Sequence, residues 1–296
     1  MVLVLLVVAT GCARSSADPG PTGLFDVGGG RTLFLECQGA GSPTVFIIPG
    51  KGSYAEAWNY VVPPDDPIRS SPYDIITQAK LEPSPDAVQP TVAKTTQVCA
   101  YDRPNTRTDG NDLSTPVPQP HSVQQDVDDA IALISAAQLP TPLVFVAHSY
   151  GGLIVDLLAR THPELVSGIV MVDGVSEFLT TLGNPAQNAA YERDSATPPE
   201  PGDEAVLIDD AMDRIRRAPA LPRVPAIVLS SDKFAPPEVL KPDNYTLAQI
   251  HQANSMLAGA LGTVNIVSSG AGHNMMLYQP QFVADNIIDI VDRVRG

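Results

Sequence analysis

Residues 142–153 read PLVFVAHSYGGL. Four apolar residues in a row, at 143–146, are the pattern of a parallel strand buried on both faces. His148, Ser149 and Tyr150 then turn the chain abruptly. Gly151 and Gly152 open an amphipathic run with Leu153, Ile154, Leu157 and Leu158 on one face. A strand, a tight turn holding a serine, and a helix make the context that a G-x-S-x-G nucleophile elbow requires. Ala147 replaces the first glycine and is still small enough for strand and helix to approach closely. Such a turn lifts the Ser149 hydroxyl above the strand ends, beside a helix N-terminus whose backbone N–H groups can stabilise an oxyanion. The blander reading is a serine that caps a helix after a strand. The nucleophile is the better one.

Outward from this stretch, the same alternation recurs. Residues 24–27 and 32–37 flank Gly28-Gly29-Gly30 and predict a hairpin. A strand at 44–48 ends in Pro49-Gly50-Lys51-Gly52, and a helix is expected from about Ser53, carrying Trp58. Residues 63–90 are proline-rich and predict a surface insertion, with one helix around 73–80. A strand at 96–101, an irregular polar loop at 102–120 and a helix at 122–137 lead to the elbow strand. Beyond the elbow helix, strands are expected at 168–172, 225–229 and 263–267, and helices at 246–261 and 281–294. In the last helix Phe282, Ile287, Ile290, Val291 and Val294 face inward. Residues 175–222 carry no strand signal, only weak helical patterns broken by Pro198, Pro199 and Pro201, as in a lid inserted over a site. Strands alternating with helices imply a mostly parallel sheet covered on both faces.

Composition limits the function. The 296 residues are 44% hydrophobic with a formal net charge of −15, which excludes a disordered chain. No basic cluster occurs, so a nucleic-acid partner is not expected, because neutralising phosphates takes grouped Lys and Arg. The apolar run at 2–9 is too short for a bilayer, which needs about 20 residues. It suits the apolar part of a secretory signal. Small residues before Cys12, followed by a polar stretch, resemble a bacterial lipobox. The expectation is a signal segment at 1–11, lipidation of Cys12, a flexible tether at 12–22 and a domain from 23 to 296. The protein would then be exported and anchored in the cell envelope by its lipid, or secreted. Cys37 and Cys99 would remain, to pair in an oxidising compartment or to lie buried and inert.

A serine hydroxyl becomes nucleophilic when a neighbouring base takes its proton and a carboxylate orients that base. In an open α/β sheet the reactive groups gather beyond the carboxyl ends of the strands. His273 follows the strand at 263–267 on the glycine-rich loop Ser268-Ser269-Gly270-Ala271-Gly272 and is the expected base. His148 reads as packing of the elbow, His121 as preceding a helix, His162 as closing one, and His251 as mid-helix. The acid should lie between Ser149 and His273 in the chain. Asp232 and Asp173 both end strands there. Either can serve as the acid on this reading. The amides of Lys51 and Tyr150 are expected to hold the oxyanion. The spacing of a phosphate-binding loop is absent around Gly50-Lys51-Gly52, and no His, Cys and carboxylate cluster has metal-ligand spacing. No cofactor is expected.

With these residues in place, the sequence resembles the α/β-hydrolase superfamily, and more narrowly its exported or lipid-anchored bacterial members. The resemblance rests on PGKGSYAEAW (49–58), VCAYDRPNT (98–106), VAHSYGGL (146–153), VMVDG (170–174) and SGAGHNMM (269–276), and runs from 23 to 295. It implies a central eight-stranded sheet with a small helical lid, and a triad of elbow serine, late histidine and intervening acid, whose usual place in the superfamily favours Asp232, with Asp173 as the alternative. It also sets the hairpin's second strand beside that of Cys99, so that a Cys37–Cys99 bridge becomes possible. Asp102-Arg103-Pro104-Asn105-Thr106 departs from the glycine-rich turn of many relatives. The expected activity is cleavage of an ester or related acyl bond in a small or lipid-like substrate. The alternatives are an acyltransferase or amidase with the same triad, or a catalytically silent envelope binding protein.

Overall fold

Six consecutive buried residues, Leu143–His148, lie in the middle of the sheet. The computed structural model describes residues 20–107 and 111–296. The signal segment, Cys12 and most of the tether lie outside the described residues. In chain order the strands are β1 (Gly23–Gly28), β2 (Arg31–Gln38), β3 (Val45–Ile48), β4 (Tyr60–Val61), β5 (Glu82–Pro83), β6 (Val98–Asp102), β7 (Leu143–His148), β8 (Val166–Val172), β9 (Ala226–Ser231) and β10 (Asn265–Ser268). The helices are α1 (Val88–Val92), α2 (Val123–Ala136), α3 (Gly151–Thr161), α4 (Leu179–Leu182), α5 (Pro185–Ala196), α6 (Ile208–Arg217), α7 (Leu247–Leu261), α8 (Met275–Tyr278) and α9 (Pro280–Arg295).

Eight of the strands form one sheet in the order β1-β2-β6-β3-β7-β8-β9-β10. β2 pairs antiparallel with β1 and β6, and from β6 to β10 every pairing is parallel. Parallel neighbours need crossovers, and the crossovers place helices over both faces. β7 shows the consequence residue by residue. Leu143, Phe145 and Ala147 join the core shared with α2 and α3, whereas Val144 and Val146 join the core beneath α9. That two-residue period explains why every position in the strand had to be apolar. On α9, Ile287, Ile290 and Val291 are fully buried, while Phe282 and Val294 pack at the margin.

The segment at 175–222 holds α4, α5 and α6 and contributes no strand to the sheet. Asn184 and Gln187 form a capping box at the start of α5, with Pro185 in the first turn, and the prolines after residue 197 end that helix. Two helices expected earlier are shorter than anticipated. Residues 55–59 and 76–78 form short 3-10 helices, each ended by extended backbone, at Tyr60 and Ala79. α8 has too few residues for a periodic signal and was not foreseen.

Cys37 and Cys99 face each other in the β2–β6 register and are joined by a disulfide across 62 positions of sequence. Both are buried, so the bridge crosses the sheet interior rather than tying down a surface loop. Closing a loop of that length restricts the unfolded chain and stabilises the fold by about 2–4 kcal/mol. Reduction, or Cys37→Ala with Cys99→Ala, should lower stability by that amount in urea melts. Equal melts with and without reductant would contradict it.

Candidate active site

Ser149 is held at φ +52°, a left-handed conformation that non-glycine residues adopt only when their surroundings impose it. Its carbonyl accepts the amides of Gly152 and Val175, each at 2.9 Å. The turn also depends on absent side chains: a Cβ on Gly151 would lie 2.4 Å from the Ile48 carbonyl oxygen. β3 adjoins β7, so the loop Pro49-Gly50-Lys51-Gly52 lies beside the elbow. A Cβ on Gly50 would stand 2.7 Å from His148 Nδ1 and 2.9 Å from Ser149 Cβ. The residue before Lys51 is thus in contact with the serine, and Tyr150, next to Ser149, caps the N-terminus of α3. Both residues expected to offer oxyanion amides border Ser149.

His273 stands with Nε2 2.9 Å from Ser149 Oγ and Nδ1 2.7 Å from Asp173 Oδ2. The carboxylate accepts a hydrogen bond from Nδ1–H, which fixes the tautomer and leaves the Nε2 lone pair for the serine hydroxyl. Asp173 is buried at φ +46°. Its two oxygens also accept the Ser231 amide at 3.0 Å and the Ser231 hydroxyl at 2.9 Å. Burial opposes the charge on Asp173, but the hydrogen bond and charge of His273, with the Ser231 donors, outweigh it and hold the carboxyl below its usual range. For His273, burial likewise opposes the cation. The hydrogen bond and charge of Asp173 and the charge of Asp74 prevail, so the imidazole titrates above its ordinary value.

The acid beside His273 is therefore Asp173, and the preference for Asp232 is corrected. β9 runs two residues past its expected end, through Ser230 and Ser231, and leaves Asp232 at the root of the histidine loop. Its Oδ1 accepts the amides of Gly270 at 2.7 Å and Ala271 at 3.0 Å. That loop leaves β10, passes the end of β9 where Asp232 secures it, and reaches the end of β8 and Asp173. Asp232 holds the loop and Asp173 holds the ring.

Two further contacts to His273 have no signature in the sequence. Asp74, from the proline-rich insertion, accepts the His273 amide at 2.7 Å and the Tyr278 hydroxyl at 2.9 Å. His148 donates from Nε2 to the His273 carbonyl at 3.0 Å. Burial, and then the charge of His273, push the His148 imidazole down to about 3, so it is neutral near pH 7. His251 donates to the Ser231 carbonyl at 2.7 Å and braces Asp173 through it.

A pocket of about 390 Å³ opens beside Ser149, His273 and Asp173. Leu179 and Tyr191 wall it from the segment at 175–222, and Phe234, Leu247 and Ile250 from the chain after β9. Mostly apolar walls with a few polar groups at one end suit an organic substrate of moderate size. Among the described residues, no three His, Cys, Asp or Glu side chains are grouped to hold a metal ion.

The model of the alpha/beta hydrolase family matches residues 45–286, most of the chain. The chain belongs to that family. Solved structures share its fold at low identity. A thermophilic esterase from Thermogutta terrifontis matches 90% of this chain and 95% of its own at 15% identity, with a TM-score of 0.54. Est816, described as an N-acyl homoserine lactone degrading enzyme, matches 90% and 100% at 15% identity and a TM-score of 0.57. A hydrolase from Pseudomonas aeruginosa matches 92% and 99% at 14% identity and a TM-score of 0.56. By sequence, 149 residues are 29% identical to an uncharacterized protein of Schizosaccharomyces pombe, covering 49% of this chain and 26% of that protein. The match thus spans about a quarter of that relative's length.

The two aspartates should separate in mutagenesis. Asp173→Asn should lower turnover by about ten-thousandfold, the scale for losing the orienting carboxylate. Asp232→Asn should lower it far less and chiefly lower the thermal midpoint, because its contacts are to backbone. Comparable losses of turnover in both variants would contradict the assignment. Gly50→Ala should reduce turnover while leaving the far side of the sheet intact, because its Cβ has no room between His148 and Ser149.

Proposed function

We propose that the protein is a serine hydrolase that cleaves an ester or related acyl bond through an acyl-enzyme. The observation that carries this reading is the continuous hydrogen-bonded line Ser149 Oγ–His273–Asp173 at 2.9 and 2.7 Å, opening onto an apolar pocket. Ser149 Oγ attacks the acyl carbon as its proton passes to His273 Nε2, and the carbonyl oxygen becomes an oxyanion facing the Lys51 and Tyr150 amides. Collapse of the tetrahedral intermediate breaks the bond to the leaving group, which takes the proton from His273. Water then enters, gives a proton to His273 and attacks the acyl carbon, and Ser149 recovers its proton as the acid departs. Asp173 stabilises the imidazolium in both half-reactions and is not protonated itself.

The acyl or alkyl part of the substrate would lie against Leu179, Tyr191, Phe234 and Leu247. Esters are the first class to test, since an esterase and a lactone-degrading enzyme stand among the structural neighbours. Export and lipidation at Cys12, read from the sequence, complete the proposal by placing the enzyme at the cell envelope.

Ser149→Ala should abolish both ester hydrolysis and labelling by a fluorophosphonate probe, with an unchanged circular dichroism spectrum. A silent binding protein would leave even the wild type unlabelled. The base must be neutral to act, and His273 is held above the ordinary histidine value of about 6.5. The acid limb of kcat/KM should therefore have its midpoint above that pH. A midpoint at or below it would contradict the role of Asp173.

A further inference from the structure

Arg103, in the turn that departs from the glycine-rich pattern, is fully buried against the loop at 49–52. Its Nη1 donates to the Pro49 carbonyl and its Nη2 to the Gly50 carbonyl, both at 2.6 Å. Nε donates to Glu204 Oε1 at 2.8 Å, and Nη2 also reaches Oε2 at 3.2 Å. Glu204 is itself buried, and its Oε2 accepts the Gly52 amide at 2.6 Å. Lys51 sends its ammonium to the Ser195 carbonyl at 2.9 Å, at the C-terminal end of α5, where the helix favours a cation. The guanidinium carbon also sits 5.5 Å from the centre of the Tyr150 ring, and the Tyr150 hydroxyl is tied to Asp126 at 2.6 Å.

The contact to the Gly50 carbonyl bears on the Gly50–Lys51 peptide plane, and those to the Pro49 carbonyl and the Gly52 amide fix the planes on either side of it. The Gly50–Lys51 bond is trans, so its carbonyl and the Lys51 N–H point in opposite directions. Arg103 grips the carbonyl side, which turns the Lys51 N–H away from Arg103. Contact of Gly50 with the Ser149 side chain means that this plane borders the reacting centre. A charged donor on the carbonyl oxygen also polarises the peptide and strengthens its N–H as a donor.

We propose that Arg103 and Glu204 are positioning residues for the oxyanion hole: they lock the Gly50–Lys51 peptide so that the Lys51 amide is aimed before substrate arrives. Glu204 belongs to the segment at 175–222, so that segment supports the reacting centre as well as walling the pocket. The inference rests on the acyl-enzyme reading above. Preorganised donors matter more to the tetrahedral state than to bound substrate. Loss of the lock should therefore fall on kcat and spare KM.

The test uses the full chain with Arg103→Lys, which keeps a cation but cannot bridge two carbonyls and a carboxylate at once. Glu204→Gln is the second variant, able still to accept the Gly52 amide if Arg103→Lys fails to fold. For each, kcat and KM on a p-nitrophenyl ester are measured beside the inhibition constants of phenylboronic acid, which forms a tetrahedral adduct on serine, and of p-nitrophenol, a ground-state ligand. Expected are a fall in kcat of about ten- to a hundredfold, a parallel weakening of the boronic acid, and KM and p-nitrophenol inhibition within about twofold of wild type. Unchanged kcat and boronic acid affinity in a folded variant would overturn the inference, and so would equal weakening of both inhibitors. A wild type that neither turns over esters nor binds the boronic acid would instead remove the acyl-enzyme reading on which it stands.

Discussion

A serine kept in the left-handed region at φ +52° is the constraint around which the site is arranged. That conformation costs about 1–3 kcal/mol and persists only where the surroundings over-determine it. Here the surroundings are a strand buried at all six positions on one side and α3 on the other. Gly151 and Gly50 are small because each lies where chain segments nearly touch. The same crowding brings the loop at 49–52 against Ser149 without needing a ligand to draw it in.

The histidine is treated differently. Its loop has little apolar surface of its own, so it is fastened by polar contacts from distant parts of the chain. Asp232 takes two loop amides, Asp74 takes the His273 amide, His148 donates to its carbonyl, and Asp173 takes the ring. Asp173 and Asp74 also make a negative setting that favours the protonated imidazole, the form that the proposed reaction would create in each half.

The parallel sheet, the elbow and the histidine loop were legible because each is written in neighbouring residues: an apolar run, a serine between small residues, glycines before a histidine. The choice of acid was not. Asp173 and Asp232 each follow an apolar strand, and what separates them is two residues of extra length in β9 and the path of a loop across a strand end. Asp74 was harder still. It lies 199 residues before the histidine whose amide it binds, in a proline-rich stretch without periodicity. Arg103 stood out as a departure from a familiar turn, but its partners Pro49, Gly50 and Glu204 come from remote segments.

With Asp173 at the end of β8 beside His273, the stretch between β9 and α7 need not supply the carboxylate that meets the imidazole. Asp232 anchors that stretch at its root, and beyond the anchor the Phe234 carbonyl accepts the Asp74 amide at 2.9 Å, while Ala235 and Tyr245 line the pocket. Replacement of Ala235 or Tyr245 would reshape the pocket while the hydrogen-bonded line from Ser149 to Asp173 kept its geometry. Under the proposed function, substrate range can therefore change at these pocket positions without touching a reacting group.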